Sequence, residues 1–553
     1  MRKVKELEKK KKSFSFMKNV LMLMFSEVIV KLLGLVYRLV ITNAEGFGDA
    51  GLGYYSSGYQ IYALLLTICS VGIPSVVSKF VSERLAVGDK YGAQRVFKIA
   101  LKFFASLGLI LSLALFFGAD FIATNILNVP DVSYVLKVLS PAIVFVATSA
   151  IFRGYFNGQN NMKPSSIAYT VEQFFNCVLT ITFVYALIGQ DSYIMAAGAN
   201  LSTTLSVIIT FIYFSLYYRK HKIETDKSEA KNSIDYGKSS KAILKKILAF
   251  SIPVTIGSII SVVTFTIDTA TVSNCIQIAY SETVESKEEL EELAMEKSGI
   301  LSKVDTLVNL PVAINLAFST ALVPAISQSI AQKDKQTASK RLTFSVFASI
   351  VIVVPCALGF ISLAEPILQL IYPSASEGAN ILRIASVTMI LVAINQTMNG
   401  GLYGLGKART PAIALAVGAT VKLILNMILI SNPNINIYGA SIGSLVCQII
   451  NFVICFTVLN NSIKLKLKLS NIIKPLLAGV IMGASVFGIN MLLNNYINSS
   501  ISTLISIACG ALIYVIAILL LKALTKDDIL MIPYGNKLYD VLVKMKIYKE
   551  ERI

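Results

Sequence analysis

The stretch RGYFNGQNNMKPSSIA (residues 153–168) returns in loose form as GGLYGLGKARTPAIA (residues 400–414), and this pair decides how the chain is read. Each is a glycine-rich polar turn with two cations and a proline, flanked on both sides by apolar runs of helix length. A second pair, VGIPSVVSK (71–79) and ALVPAISQS (321–329), repeats at nearly the same offset, about 250 residues. Each member falls at the same point of its half. One helical unit is therefore present twice.

Counting outward from these turns, apolar runs lie at 16–41, 59–81, 96–118, 132–156, 165–188, 192–218, 245–275, 301–328, 341–364, 378–403, 411–431, 437–459, 471–494 and 501–524. Fourteen spans of ~20 residues are expected. Six per half is an even number, so both halves enter the membrane in the same orientation. That predicts an all-α polytopic membrane protein with two six-helix lobes in parallel pseudo-two-fold repeat, a central cavity between them, and two C-terminal helices appended. The expected order is a basic N-terminus (1–15), an N-lobe (16–218), a basic linker (219–244), a C-lobe (245–459), spans thirteen and fourteen (471–524) and a basic tail (525–553). The basic N-terminus is not read as a signal peptide, because the apolar stretch behind it is long, holds Glu27, Lys31 and Arg38, and has no A-x-A-like site.

Composition agrees. Of 553 residues 55% are apolar and 15% charged, with mean hydropathy +0.68, where a soluble domain carries roughly a quarter charged residues. The only histidine, His221, lies in a basic stretch, which disfavours His-based metal sites and Ser-His-Asp triads. Seven cysteines are scattered through apolar runs without a C-x-x-C pair and read as small buried hydrophobes. Gly401 to Lys407 matches G-x-x-x-x-G-K, but Ala408 replaces the Ser/Thr that would hold Mg²⁺ and a membrane helix precedes it, so it is read as an ordinary turn. No catalytic or ATPase motif and no cofactor follows from the sequence.

The net charge of +18 sorts by loop. Odd-numbered loops hold Glu45, Asp49, Asp120, Asp131, Asp191 and the acidic insertion at 281–297; even-numbered loops hold Arg84, Lys90, Arg95, Arg153, Lys163, Lys333, Lys407 and Arg409 among others. The positive-inside rule then places both termini in the cytoplasm. The excess charge reads as topology and not as nucleic-acid binding.

Charges inside spans are costly and are functional candidates. On the first helix Glu27, Lys31 and Arg38 project at about 0°, 40° and 20°, with Gly34 at about −20° on the same face. A local Glu27–Lys31 pair and a cavity-lining cationic stripe for an anionic head group are both open readings. Further candidates are Glu172 with Asn176 in the fifth span, Asp268 in the seventh, Asp305 in the eighth, Arg383 in the tenth and Lys422 in the eleventh. Asp268 could bind a coupling cation or proton, or hydrogen-bond nearby Thr and Ser residues.

FRGYFNGQNNMKPSSIAYTVEQ (152–173) resembles the turn typical of the SpoVB/YtgP branch of the multidrug/oligosaccharidyl-lipid/polysaccharide (MOP) exporter superfamily, close to the MurJ-type lipid II flippases. PAIS (324–327) and LGLVYR (33–38) fit the same branch, and the resemblance spans nearly the whole chain. It implies a bacterial cell-membrane protein that moves an undecaprenyl-pyrophosphate-linked oligosaccharide from the inner to the outer leaflet by alternating access. The implied energy source is Na⁺, H⁺ or the membrane potential, and spans thirteen and fourteen are implied to form a groove for the lipid tail. MurJ proteins carry a basic pair flanking the first-helix glycine; here Lys31 takes the first position, Tyr37 replaces the second, and Arg38 follows. Three readings compete: a flippase for lipid II or another glycan, a cation-coupled multidrug exporter, and a scaffold recruiting cell-wall synthesis enzymes.

Overall fold

The computed structural model describes residues 30–70, 72–224, 233, 237, 239–465, 470–524, 539 and 543. Glu27, the basic N-terminus 1–15 and nearly all of the tail 525–553 lie outside the described residues. The described chain is helical: α1 (30–42), α2 (Gly48–Ser70), α3 (Ile73–Ala86), α4 (Lys90–Phe121, continued by a π-helical turn), α5 (Val132–Leu139), α6 (Ala142–Gly158), α7 (Lys163–Ala186), α8 (Ser192–His221), α9 (Ser240–Tyr280), α10 (Lys287–Ala331), α11 (Lys335–Ser362), α12 (Ala364–Ile371), α13 (Ala379–Gly404), α14 (Arg409–Ile430), α15 (Tyr438–Ile463), α16 (Ser470–Leu493) and α17 (Ser499–Leu520). Among the described residues, twelve helical stretches are long and apolar enough to cross a membrane. The two remaining expected spans fall on α1 and α10. Prolines account for the interrupted spans, since a proline removes a helical hydrogen bond and restricts the residue before it: Pro74 opens α3, and Pro141 stands between α5 and α6.

The chain divides into two compact units, Met1–Ser302 and Lys303–Ile553. The division falls within α10 and not in the linker at 219–244. α9, placed by the sequence at the start of the second lobe, packs on α2, α3 and α4 of the first unit.

In the first unit α6 lies against α3, α4 and α8, and α7 pairs with α8. The α3–α6 crossing is close because α6 presents Gly154 and Gly158. A Cβ on Gly154 would stand 2.8 Å from the Pro74 carbonyl oxygen, and one on Gly158 2.8 Å from that of Ser78. Small residues four apart let membrane helices approach to backbone contact, which is how helices associate where lipid is as apolar as leucine. Around this crossing sits an aromatic core: Phe97, Phe152, Tyr155, Phe156 and Phe214, all buried. A second tight contact joins the start of α2 to the start of α10. Gly53 lies against the Met295 carbonyl, Gly299 against that of Asp49, and the Ser57 and Ser298 hydroxyls are 3.3 Å apart.

In the second unit α13 lies against α11 and α15, α14 pairs with α15, and α16 docks on α11. A Cβ on Gly400 would stand 2.6 Å from the Ser319 carbonyl oxygen and one on Gly404 3.0 Å from that of Val323, so α13 crosses α10 as α6 crosses α3. α16 and α17 attach through small residues as well: Gly479 fits against Leu358 and Val354, and Tyr514 donates to the Val351 carbonyl at 3.0 Å. Their outer surface is apolar, with Val480, Phe487, Leu512 and Val515 exposed where lipid would lie.

Candidate functional site

Of the polar residues expected on the first helix and in the fifth span, Arg38 and Glu172 both neighbour a row of tyrosines in the first unit. Tyr37 is buried on α1, and its hydroxyl lies 3.0 Å from that of Tyr55 on α2. The neighbouring Arg38 is half-buried, with its guanidinium among the hydroxyls of Tyr37, Tyr55 and Tyr59. Tyr55 and Tyr59 stack one turn apart along α2, and Tyr62 continues the row. One turn before Arg38, Gly34 faces α7: a Cβ there would be 3.7 Å from Gln173 Nε2. Lys31 lies about 10 Å down the helix from Arg38 and is exposed.

Next to Gln173, the Glu172 carboxylate accepts from Arg153 on α6 at 2.8 Å. The Arg153 side chain is 11% exposed and that of Glu172 28%. The guanidinium also lies 4.1 Å over the Tyr169 ring, a cation–π contact, and its Nε has no acceptor among the described residues. Glu172 in turn acts electrostatically on Tyr59 and Tyr62. The result is a continuous array, Arg38, three tyrosines, Glu172 and Arg153, running across α1, α2, α7 and α6.

Sequence reasoning had counted Arg153 as a loop cation. It is instead within α6, five residues before the turn, with its charge matched inside the bundle. Its position ahead of the polar turn hid it, because helix ends cannot be fixed to a few residues from an apolar run alone. Lys303 was also missed: it is fully buried on α10, bonded to the Ala375 carbonyl beneath the Tyr372 ring.

The other predicted residues sit elsewhere. Asn176 joins α7 to α8, donating to Thr203 Oγ1 at 3.2 Å and accepting from Thr180 at 3.0 Å. Asp268 is buried on α9, and Asp305 is half-buried on α10. In the second unit Lys422 is buried on α14, where its stem lies 3.4 Å from the position a Cβ of Gly443 would take. Arg383 is exposed and bonded to Asn380. The Gly401–Lys407 stretch is the end of α13, where Gly401 packs on Leu342, Gly404 on Ile326, and Gly406 takes φ 73° to turn the chain. These glycines serve packing and a helix cap, as the turn reading expected.

Residues 16–330 match the family described as "Polysaccharide biosynthesis protein", and residues 299–428 match the MatE family. Stage V sporulation protein B of Bacillus subtilis (strain 168) is 26% identical over 95% of this chain and 99% of its own length. Lipid II flippase MurJ of the same organism is 24% identical over 91% and 94%. Among solved structures, the lipid II flippase MurJ in an inward closed conformation aligns with TM-score 0.68 at 16% identity, covering 90% of this chain and 98% of that one. An inward-facing MATE multidrug-resistance transporter aligns with TM-score 0.66 at 15% identity over 80% and 98%. The chain is a multi-pass helical membrane protein that belongs to the polysaccharide biosynthesis protein family, on the SpoVB- and MurJ-like side of the MOP superfamily.

Proposed function

We propose that this protein is a flippase that carries an undecaprenyl-pyrophosphate-linked oligosaccharide, with lipid II as the first candidate, from the inner to the outer leaflet by alternating access. The observation that carries the reading is the Arg38 array, with Gly34 held open beside Gln173 and Lys31 on the same helix. A pyrophosphate cannot cross hydrocarbon unaided, and a guanidinium held by phenol hydroxyls is a preorganised donor for it. Lys31 and Arg38 contact the pyrophosphate, Gly34 leaves room for it, and Arg153 balances Glu172 so that no net negative charge faces the substrate. The reading assigns Lys422 a supporting cationic role and Asp268 a coupling role, with Na⁺, H⁺ or the membrane potential as the driving force. The apolar faces of α16 and α17 suit a polyprenyl tail. Both termini then lie in the cytoplasm of a bacterial cell, where cell-wall synthesis enzymes could meet them; no catalytic step is assigned to the chain.

The experiment is a reconstituted transbilayer assay comparing lipid II with another undecaprenyl-pyrophosphate glycan, with and without an imposed potential. Lys31→Ala and Arg38→Ala should each abolish transport, and with it complementation of a flippase-depleted strain at normal membrane levels. Full activity in both variants would refute the assignment. A multidrug exporter would instead confer drug resistance on overexpression and depend on Glu172 and Asp268 more than on Arg38.

A further inference from the structure

Away from the Arg38 array, a cavity of about 630 Å³ opens between the start of α4 and the start of α9. Arg95, Lys98 and Lys102 enter it from α4 at i, i+3 and i+7, one stripe of the helix, and Lys241 enters from α9. The wall beside the cations is apolar, formed by Ile99, Phe103 and Leu244. Its inner surface is fixed by Gln94, which is buried, donates to the Ile223 carbonyl at 3.0 Å and accepts from Tyr218 at 3.1 Å. Among the described residues no carboxylate lines the cavity; Asp89, close to its rim in sequence, caps α4 and bonds Ser233.

The depth of these residues follows from helix length. α4 with its π turn has 37 residues, about 55 Å, against a hydrocarbon core of about 30 Å. Its uncharged run begins at Phe103, and in α9 the uncharged run begins after Lys246. Arg95 to Lys102 and Lys241 are therefore at head-group level, on the side that the Lys- and Arg-rich turns assign to the cytoplasm. Ile99, Phe103 and Leu244 lead from there toward the acyl region.

We propose that this cavity is a binding site for an anionic phospholipid of the inner leaflet, its phosphate held by Arg95, Lys98, Lys102 and Lys241 and one acyl chain laid along Ile99, Phe103 and Leu244. Scattered cations at a membrane surface give diffuse attraction. Four of them converging on a walled cavity with an apolar exit give a site for one lipid molecule.

The test uses the full-length protein, delipidated and placed in nanodiscs of phosphatidylcholine with increasing phosphatidylglycerol, with bound lipid counted by native mass spectrometry. The wild type should retain phosphatidylglycerol in preference to phosphatidylcholine. The triple variant Lys98→Ala/Lys102→Ala/Lys241→Ala should lose that preference by roughly a hundredfold in affinity. The charge-conserving triple Lys→Arg variant should keep it, which separates loss of charge from loss of fold, since the lysines are exposed and size-exclusion profiles should not change. Equal phosphatidylglycerol retention by the alanine variant would overturn the proposal. So would preferential binding of soluble inorganic pyrophosphate with no preference for phosphatidylglycerol, which would mark the cavity as a phosphate site and not a lipid site.

Discussion

The two glycine crossings are nearly the same object, and what surrounds them is not. Gly154 and Gly158 seat α6 on α3, and Gly400 and Gly404 seat α13 on α10, with each Cβ position 2.6–3.0 Å from a carbonyl of the partner helix. The turns that follow also agree. Asn160 and Gly406 both take positive φ, and the amides of Asn161 and Lys407 reach back to the carbonyls of Phe156 and Leu402. Aligning the copies on their glycines sets Arg153 beside Asn399, and aligning them on the prolines that follow, one residue further, sets Tyr169 beside Ala416 and Glu172 beside Ala419. Where the first copy holds a partly buried ion pair against an aromatic ring, the second holds an amide accepting from Cys455. The shared part is what the fold needs twice. The unshared part is where the first unit has been specialised.

The largest expected effect breaks the shared part. Gly158→Leu and Gly404→Leu each force a side chain into backbone, costing about 3 kcal/mol or more. Both should abolish recovery of monodisperse protein, to similar extents. If one copy tolerates leucine while the other does not, the equivalence of the crossings is wrong. The next effect separates the copies. Glu172→Ala leaves Arg153 without its carboxylate in a largely buried setting and should destabilise by about 1–3 kcal/mol. The double variant Arg153→Asn/Glu172→Ala writes the second copy's residues into the first. Thermal unfolding should recover most of the loss, while transport in the reconstituted assay stays low. Recovery of both would show the pair to be structural only.

This contrast also explains how much could be read beforehand. The repeat, the helix count and the polar first helix were legible because glycines, prolines and span-length apolar runs report local backbone requirements. The four i, i+4 glycines lay inside the quoted turns themselves. What was not legible depends on helix ends and on tertiary approach. Arg153 was counted with the loop cations although the apolar run 132–156 already extends past it, because a single charge near a span end is read locally as a boundary. Lys303 lies in a polar stretch of α10 whose burial comes from Tyr372 and Ala375, some seventy residues on. The division within α10 has the same origin: α9 is drawn to α2 by packing that a linear scan for linkers cannot register.

A smaller effect tests the equivalence at a second pair of turns. Gly88 and Lys333 both take positive φ before Asp89 and Asp334, which cap α4 and α11 by accepting from the amides of Gly92 and Thr337. Glycine suits this conformation and lysine does not, at a cost of about 1 kcal/mol. Lys333→Gly should therefore raise the melting temperature slightly and Gly88→Lys lower it. Opposite signs at the two turns would separate backbone strain from any role of the lysine charge.

The smallest effect concerns a pair of carboxyls in the first unit. Glu291, at the start of α10, and Asp131, ahead of α5, both have pKa values raised, chiefly by burial. Asp131 and Glu288 add to the shift at Glu291, while Lys287, 3.4 Å away, opposes it. A carboxyl with a raised folded-state pKa favours the protonated fold. The stability it contributes is present at low pH and is lost as pH rises through the unfolded value to the folded one. Glu291→Gln/Asp131→Asn removes that loss. The melting temperature of this variant, relative to wild type, should climb as pH rises through the ordinary carboxylate range of about 4 and level off once both folded-state carboxyls are ionised. A constant difference across that range would mean that the two carboxyls titrate as they do in the unfolded chain, and that the close approach of α10 to α2 at Gly53 and Gly299 is electrostatically neutral.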